Sequence, residues 1–319
     1  MPDTHIERVP NLTSEKFCNP EVTATGEPRA SVSLRRLTTL WFNTGSLCNI
    51  ACNNCYIESS PRNDRLAYLS ADEVREYLDE LVRLPFPAEE IGFTGGEPFL
   101  NRELPEMLRE ALARGFRVLV LTNAMTPMQR HAAVLLELHR QHGDALILRV
   151  SIDHYQPERH EAVRGRGTWE KTLNGLRWLC ANGFHVDVAG RTLWDDAASA
   201  MRAGFARLFA AEAIPIDADD PRRLVLFPEM DPKADVPEIT TRCWSILGVQ
   251  PEEMMCASSR MIIKRKGEDH PVVVPCTLLP YDRQFELGHR LAQAPTTVRL
   301  NHPFCAQFCV LGGASCSAK

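Results

Sequence analysis

The sequence predicts an α/β fold: a partial (β/α)6 TIM-like barrel followed by a small C-terminal, cysteine-rich α+β domain built on a β-hairpin. Three observations carry this expectation. From about residue 35, short apolar strands alternate with amphipathic helices, the pattern of parallel βαβ units. A cysteine-rich loop directly follows the first strand, and barrels of this kind carry their reactive groups on loops at the C-terminal ends of strands. After about residue 235 the helical periodicity fades, and prolines, turns and cysteines dominate.

The elements follow in order. Leu37–Phe42 (LTTLWF) reads as the first strand. Ser70-Ala-Asp-Glu73 has the form of a capping box, with Val74, Leu78 and Leu81 following at helical spacing. Ile91–Thr94 is the second strand, and Leu104–Ala113 a helix stopped by Gly115. Arg117–Thr122 and Ala145–Ile152 are the third and fourth strands. Trp169–Asn182 is a helix ending at Gly183, followed by strands at Phe184–Val188 and Arg223–Phe227. Strands this apolar belong to a sheet covered by helices. Farther on, Arg260–Lys264 and Val272–Cys276 flank the turn Lys266-Gly-Glu-Asp-His270, as in a hairpin. The expected division is an N-terminal extension (1–34), the partial barrel (35–239) and the cysteine-rich domain (240–319).

Composition narrows the function classes. The chain has 319 residues, is 44% hydrophobic and 24% charged, and carries a formal net charge of -5, which offers no electrostatic reason to bind nucleic acid or an anionic membrane. The one dense basic run, Lys264-Arg265-Lys266, is expected to be a solvated turn. Met1–Arg8 lacks the layout of a signal peptide, and no apolar run approaches the ~20 residues that span a bilayer. A cytoplasmic location is therefore expected. In that reducing compartment, 11 cysteines argue for metal binding over disulfides.

Cys48, Cys52 and Cys55 carry the most information, spaced C-x3-C-x2-C on one short loop. Zinc sites usually join C-x2-C units to a distant second pair, which this loop lacks. Three thiolates so placed suit three irons of a 4Fe–4S cube and leave the fourth iron open for chemistry. One βα unit later comes Thr94-Gly-Gly-Glu-Pro98. Gly95 and Gly96 let the backbone approach a ligand closely, and the Glu97 carboxylate suits an ammonium group. Ser151 and Asp153 end the fourth strand and suit ribose hydroxyls or a cofactor carboxylate, while Arg164 suits a bidentate pair with a carboxylate. Asn123, after the third strand, faces the same side. His154 and Tyr155 are candidates for a substrate contact or an ordinary surface loop.

The triad, Gly95-Gly-Glu-Pro98 and Ser151-Ile-Asp153 with Arg164 together resemble the radical S-adenosylmethionine (radical SAM) superfamily. The resemblance implies that Cys48, Cys52 and Cys55 hold a 4Fe–4S cluster with catalytic role. S-adenosylmethionine would bind at its open iron, with contacts from Tyr56, Gly95, Gly96, Glu97, Asn123, Ser151, Asp153 and Arg164. It further implies reductive cleavage to a 5′-deoxyadenosyl radical that takes hydrogen from a substrate, and an external electron donor such as flavodoxin or ferredoxin. One residue departs from the pattern: the position before the third cysteine, often aromatic and near the adenine, is Asn54, and the aromatic Tyr56 follows Cys55.

Cys256-x19-Cys276 and Cys305-x3-Cys309-x6-Cys316 resemble the twitch or SPASM domains of that superfamily, though the last three depart from the C-x2-C-x5-C-x3-C ending of a full SPASM pattern. The implied reading is one auxiliary 4Fe–4S cluster on Cys256, Cys276 and two of Cys305, Cys309 and Cys316, with structural zinc as the rival. Cys243 is a further candidate ligand, Cys180 a core residue, and Cys18 a free thiol or redox partner. The substrate class stays open between a small molecule and a short peptide. The segment ahead of the first strand is expected to leave no room for an added peptide-recognition domain. The alternatives are a peptide or protein maturase, or a non-catalytic iron–sulfur or zinc protein serving in electron transfer or cofactor assembly.

Overall fold

The computed structural model describes residues 16–84, 88–194, 196–231 and 233–315. Strand β1 (Ser31–Ser33) precedes β2 (Thr39–Asn43), which feeds the cysteine loop. Then follow α1 (Ala71–Arg83), β3 (Glu90–Thr94), α2 (Leu104–Ala113), β4 (Arg117–Thr122), α3 (Thr126–Gln129) and α4 (Ala132–His142). The second half of the barrel contains β5 (Leu146–Ser151), α5 (Pro157–Arg164), α6 (Trp169–Ala181), β6 (His185–Thr192), α7 (Ala198–Ala211) and β7 (Leu224–Pro228). Beyond it lie α8 (Cys243–Leu247), β8 (Ser259–Ile263), β9 (Val272–Val274), β10 (Thr297–Arg299) and a π-helical turn (Cys305–Val310).

The main sheet is eight-stranded, ordered β7-β6-β5-β4-β3-β2-β8-β9, with β2 to β7 parallel. It ends in two unjoined edges, β7 and β9, so it is a partial barrel as expected from the alternating pattern. The hairpin forms where the sequence indicates it, β8 antiparallel to β9. What the sequence did not indicate is that β8 also pairs in parallel with β2, Leu40 opposite Arg260, so the barrel sheet continues into the cysteine-rich segment. A separate pair, β1 with β10, ties the chain's beginning to its end.

Alternation along the strands sorts the core into two layers. Leu40, Phe42, Ile91, Phe93, Val118, Val120, Leu148 and Val150 pack outward under helices, against Leu78 and Leu81 of α1 and Leu108 of α2. Trp41, Leu119, Ile147, Met261 and Ile263 face inward, with Phe308 and Val310 of the π-helical turn in the same cluster. Gly92 is required there, because a Cβ on it would lie 2.2 Å from the Trp41 ring. The Ser70–Glu73 capping box forms with both hydrogen bonds, fixing the start of α1.

The basic run is a solvated turn only at Lys266. Lys264 pairs with Glu73, Arg265 with Glu286 and Lys266 with Asp64, and Arg265 is buried. The β8 pairing with β2 carries this segment across the molecule to acids that sequence distance had hidden.

Candidate functional site

The cysteine loop is held by backbone bonds from several directions. Its Asn43 side chain accepts from the Gly45 N–H at 3.0 Å, turning the chain as it leaves β2. The Gly96 N–H donates to the Gly45 carbonyl at 2.8 Å and the Glu97 N–H to the Leu47 carbonyl at 3.1 Å. A Cβ on Gly95 would stand 2.5 Å from the Gly45 carbonyl oxygen, and one on Gly96 2.0 Å from that of Leu47. The two glycines thus let β3 close against the cysteine loop, besides lining the cavity beside it. From α5, the Ala162 and Val163 carbonyls accept from the Asn53 side chain and N–H, each at 2.8 Å.

Cys48, Cys52 and Cys55 line one cavity of about 190 Å³ with Gly95, Gly96, Asn123, Ser151, Asp153, Arg164 and Tyr56. Sequence positions more than a hundred residues apart meet there because parallel strands deliver their C-terminal ends to one rim. Glu97 lies behind this wall, fully buried, and its carboxylate accepts from the Thr122 hydroxyl (2.9 Å), the Asn123 N–H (2.9 Å) and the Phe99 N–H (3.3 Å). Burial pushes its pKa up to about 7, against the lowering effect of those hydrogen bonds. A carboxylate has about four lone-pair sites, so one acceptor position is left for an incoming donor.

Asp153 and Arg164 form a buried two-point pair. Asn123 is held by its own contacts, donating to Asn49 at 2.8 Å and accepting from the Met125 N–H at 3.0 Å. Tyr56 donates its hydroxyl to the Pro228 carbonyl and packs edge-on against Phe227 and Phe308. Asn54 adopts φ +53°, in the left-handed region that asparagine tolerates, and its side chain donates to Glu229. His154 and Tyr155 stack on each other and do not line the cavity.

Arg191 was missed by the sequence reading. It lines the cavity, donates to the Asn54 carbonyl at 3.0 Å and stands 4.9 Å over the Tyr56 ring. The fifth strand runs on to Thr192, beyond the expected Val188, and period-two alternation from Asp187 through Ala189 would have brought Arg191 to the inner face.

The donor set fits an iron–sulfur cluster. None of the three thiols is in a disulfide. Burial pushes the Cys48 thiol up to about 12 and raises Cys52, with Arg164 and Arg191 opposing the rise at Cys52. Metal binding here must therefore displace thiol protons. Among the described residues no three His, Cys, Asp or Glu side chains are gathered around a single-ion position; an iron–sulfur cube takes one thiolate per iron and asks for a looser spread.

Cys256, Cys276, Cys305 and Cys309 line a second, small cavity, with Met254, Met255 and Leu279. Cys256 precedes β8 and Cys276 follows β9, so antiparallel pairing brings them together. Burial raises the Cys256 thiol to about 11 and Cys305 well above the ordinary thiol value. Leu278 lines both cavities. Cys316 lies outside the described residues. Cys243 does not line this cavity; its sulfur accepts from the Thr240 N–H at 3.4 Å. Cys18 is exposed, and Cys180 is half-buried on α6. No helix among the described residues is long and apolar enough to cross a membrane.

Residues 42–193 match the family model of the Radical SAM superfamily. The chain is 33% identical over 143 residues to the antilisterial bacteriocin subtilosin biosynthesis protein AlbA of Bacillus subtilis (strain 168), covering 44% of this chain and 30% of that one. It is 31% identical over 137 residues to the mycofactocin maturase MftC of Mycolicibacterium smegmatis (strain ATCC 700084 / mc(2)155), covering 43% and 33%. The match thus spans about a third of the length of these curated relatives. Among solved structures, Streptococcus suis SuiB bound to S-adenosylmethionine superposes with a TM-score of 0.58 at 10% identity, over 79% of this chain and 63% of that one, a likeness of fold. SuiB is also solved bound to its precursor peptide SuiA.

Proposed function

We propose that the chain, whose residues 42–193 match the Radical SAM superfamily model, is a radical SAM enzyme that modifies a short peptide by hydrogen abstraction. When bound, the cluster and S-adenosylmethionine supply a 5′-deoxyadenosyl radical that takes a hydrogen atom from the substrate. The chain's own residues do the rest. Cys48, Cys52 and Cys55 hold three irons and leave the fourth for the methionine end of the cofactor. Gly95 and Gly96 would present backbone to its amino group, while Glu97, behind the cavity wall, fixes Thr122 and Asn123. Ser151 and the Asp153–Arg164 pair suit its ribose and carboxylate, and Arg191 keeps the loop around Asn53 and Asn54 in register with them.

One observation carries this reading: the triad on the loop after β2, Gly95-Gly96 after β3, Ser151 and Asp153 at the end of β5, and Arg164 at the end of α5 line a single cavity. The peptide assignment rests on the roles named for two sequence relatives, a bacteriocin biosynthesis protein and a mycofactocin maturase. The second cavity supports an auxiliary 4Fe–4S cluster on Cys256, Cys276, Cys305 and Cys309, a set complete without Cys316. A donor of the flavodoxin or ferredoxin type would supply the electron.

Anaerobically reconstituted protein, reduced with dithionite and given S-adenosylmethionine, is expected to form 5′-deoxyadenosine, and the Cys48/Cys52/Cys55→Ala variant none. Wild type loaded with iron and sulfide that forms no 5′-deoxyadenosine overturns the enzyme reading. Peptides encoded beside the gene should change mass in the same assay; turnover confined to a small molecule would refute the peptide assignment. Iron and zinc analysis of the triple variant separates an auxiliary cluster from structural zinc.

A further inference from the structure

Arg260 is 1% exposed, yet no carboxylate among the described residues pairs with it. Its Nη1 donates to the carbonyls of Cys256 (2.7 Å) and Ser259 (2.8 Å), and its Nη2 to that of Thr296 (3.0 Å). Its Nε has no partner. A guanidinium cannot discard its charge by losing a proton, so burial without an opposing charge is costly. Among the other buried arginines, Arg29 pairs with Glu238 and Arg265 with Glu286, whereas Arg191, like Arg260, donates to backbone carbonyls beside a cysteine-lined cavity. Arg260 lies against the backbone of Cys256, next to a cavity walled by four cysteines. Cys256 and Cys276 are the acidic groups that act on it electrostatically, and their thiols would become anionic thiolates on binding metal.

We propose that Arg260 is the counter-charge of the four-cysteine centre and holds that centre's reduction potential up. The proposal rests on the auxiliary-cluster reading. Reduction by one electron adds a negative charge to an already anionic four-thiolate centre, with no bond made or broken, and a fixed buried cation favours the more negative form. Low local dielectric strengthens the effect, because little water is present to screen it. Arg260 is thus a positioning residue: it touches no reacting atom, and it acts through the charge it places beside the ligands. A centre tuned upward in this way is suited to accept an electron from a substrate-derived radical, and Leu278 lines the walls of both cavities.

The test uses full-length protein in the Cys48/Cys52/Cys55→Ala background, so that the second centre is the one titrated. The readout is its midpoint potential, followed by electron paramagnetic resonance during titration with dithionite. Arg260→Met should disfavour reduction at least tenfold, which is 59 mV for a one-electron couple. Arg260→Lys, which keeps the charge and loses the fork, should retain most of the parent's potential. An unchanged potential in Arg260→Met with irons bound overturns the proposal, as do equal shifts in both variants, which would mark a role in shape. If Met loses the cluster and Lys keeps it, the charge is required and the proposal stands; if both lose it, the proposal falls. A parent holding no iron–sulfur centre is a distinct result, because it removes the auxiliary-cluster reading itself.

Discussion

Arg164 grips Asp153 at two points inside the cavity wall, Nε to Oδ2 at 2.9 Å and Nη2 to Oδ1 at 3.1 Å, and both side chains are nearly inaccessible. The pair joins the end of β5 to the C-terminus of α5, whose preceding carbonyls hold Asn53 of the cysteine loop. It is therefore a strut for the cysteine loop as well as a wall of the cavity proposed to take the cofactor.

Removing one partner leaves the other charge buried alone. Asp153→Ala should cost about 3–5 kcal/mol in chemical denaturation, the range for breaking a buried pair. Replacing both, Asp153→Ala with Arg164→Met, should recover part of that loss. S-adenosylmethionine affinity should fall in the double variant even where stability returns. Recovery of both together would show that the pair is structural only.

Glu97 gives a pH signature. Its folded pKa of about 7 lies above the ordinary 4.5, so the folded state holds the proton more tightly than the unfolded chain. That contribution is fully present below pH 4.5 and is lost as pH rises through 7, a change of about 3 kcal/mol across the window. Buried His160, depressed to about 4 by burial, acts with opposite sign over part of the same window. The check is therefore a difference: the stability of cluster-free wild type minus that of Glu97→Gln, measured from pH 4.5 to 8, should fall with pH. A flat difference would refute the assignment.

Gly96→Ala should fold but fail to hold the first cluster. Its Cβ would sit 2.0 Å from the Leu47 carbonyl oxygen, so the backbone one residue before Cys48 has to move. Iron per chain after reconstitution should drop by the share of the first cluster, with far-ultraviolet circular dichroism unchanged. Wild-type iron content in this variant would contradict the account.

Asn54 tests why the usual aromatic residue is absent. At φ +53°, Asn54→Phe should cost about 1–2 kcal/mol in thermal or chemical unfolding, while Asn54→Gly should be close to neutral. Equal stability of the Phe variant would mean that the left-handed turn is not what selects asparagine.

Much of the site was legible because its residues sit at strand ends whose apolar runs announce themselves. The triad, Gly95, Gly96, Ser151 and Asp153 each follow or close an expected strand, Arg164 ends the unexpected helix α5, and all line the cavity. Arg191 was not legible because the fifth strand looked shorter than it is. Thr277 and Leu278 reach the first cavity from a segment far along the chain, and no local pattern marks them. The basic run at 264–266 looked solvated because its acids, Glu73, Glu286 and Asp64, are remote in sequence for all but one of the three.

The sequence by itself determined the strand–helix alternation, the parallel barrel and the ligand spacing on the first loop, because periodicity and local chemistry are short-range properties. Tertiary structure alone decided that β8 joins β2, that Lys264 finds Glu73 and Lys266 finds Asp64, and that Arg191 reaches the carbonyls of Asn53 and Asn54. Those are long-range pairings, fixed by which charges and strand edges find partners once the chain is folded. Nothing within a short window of residues encodes them.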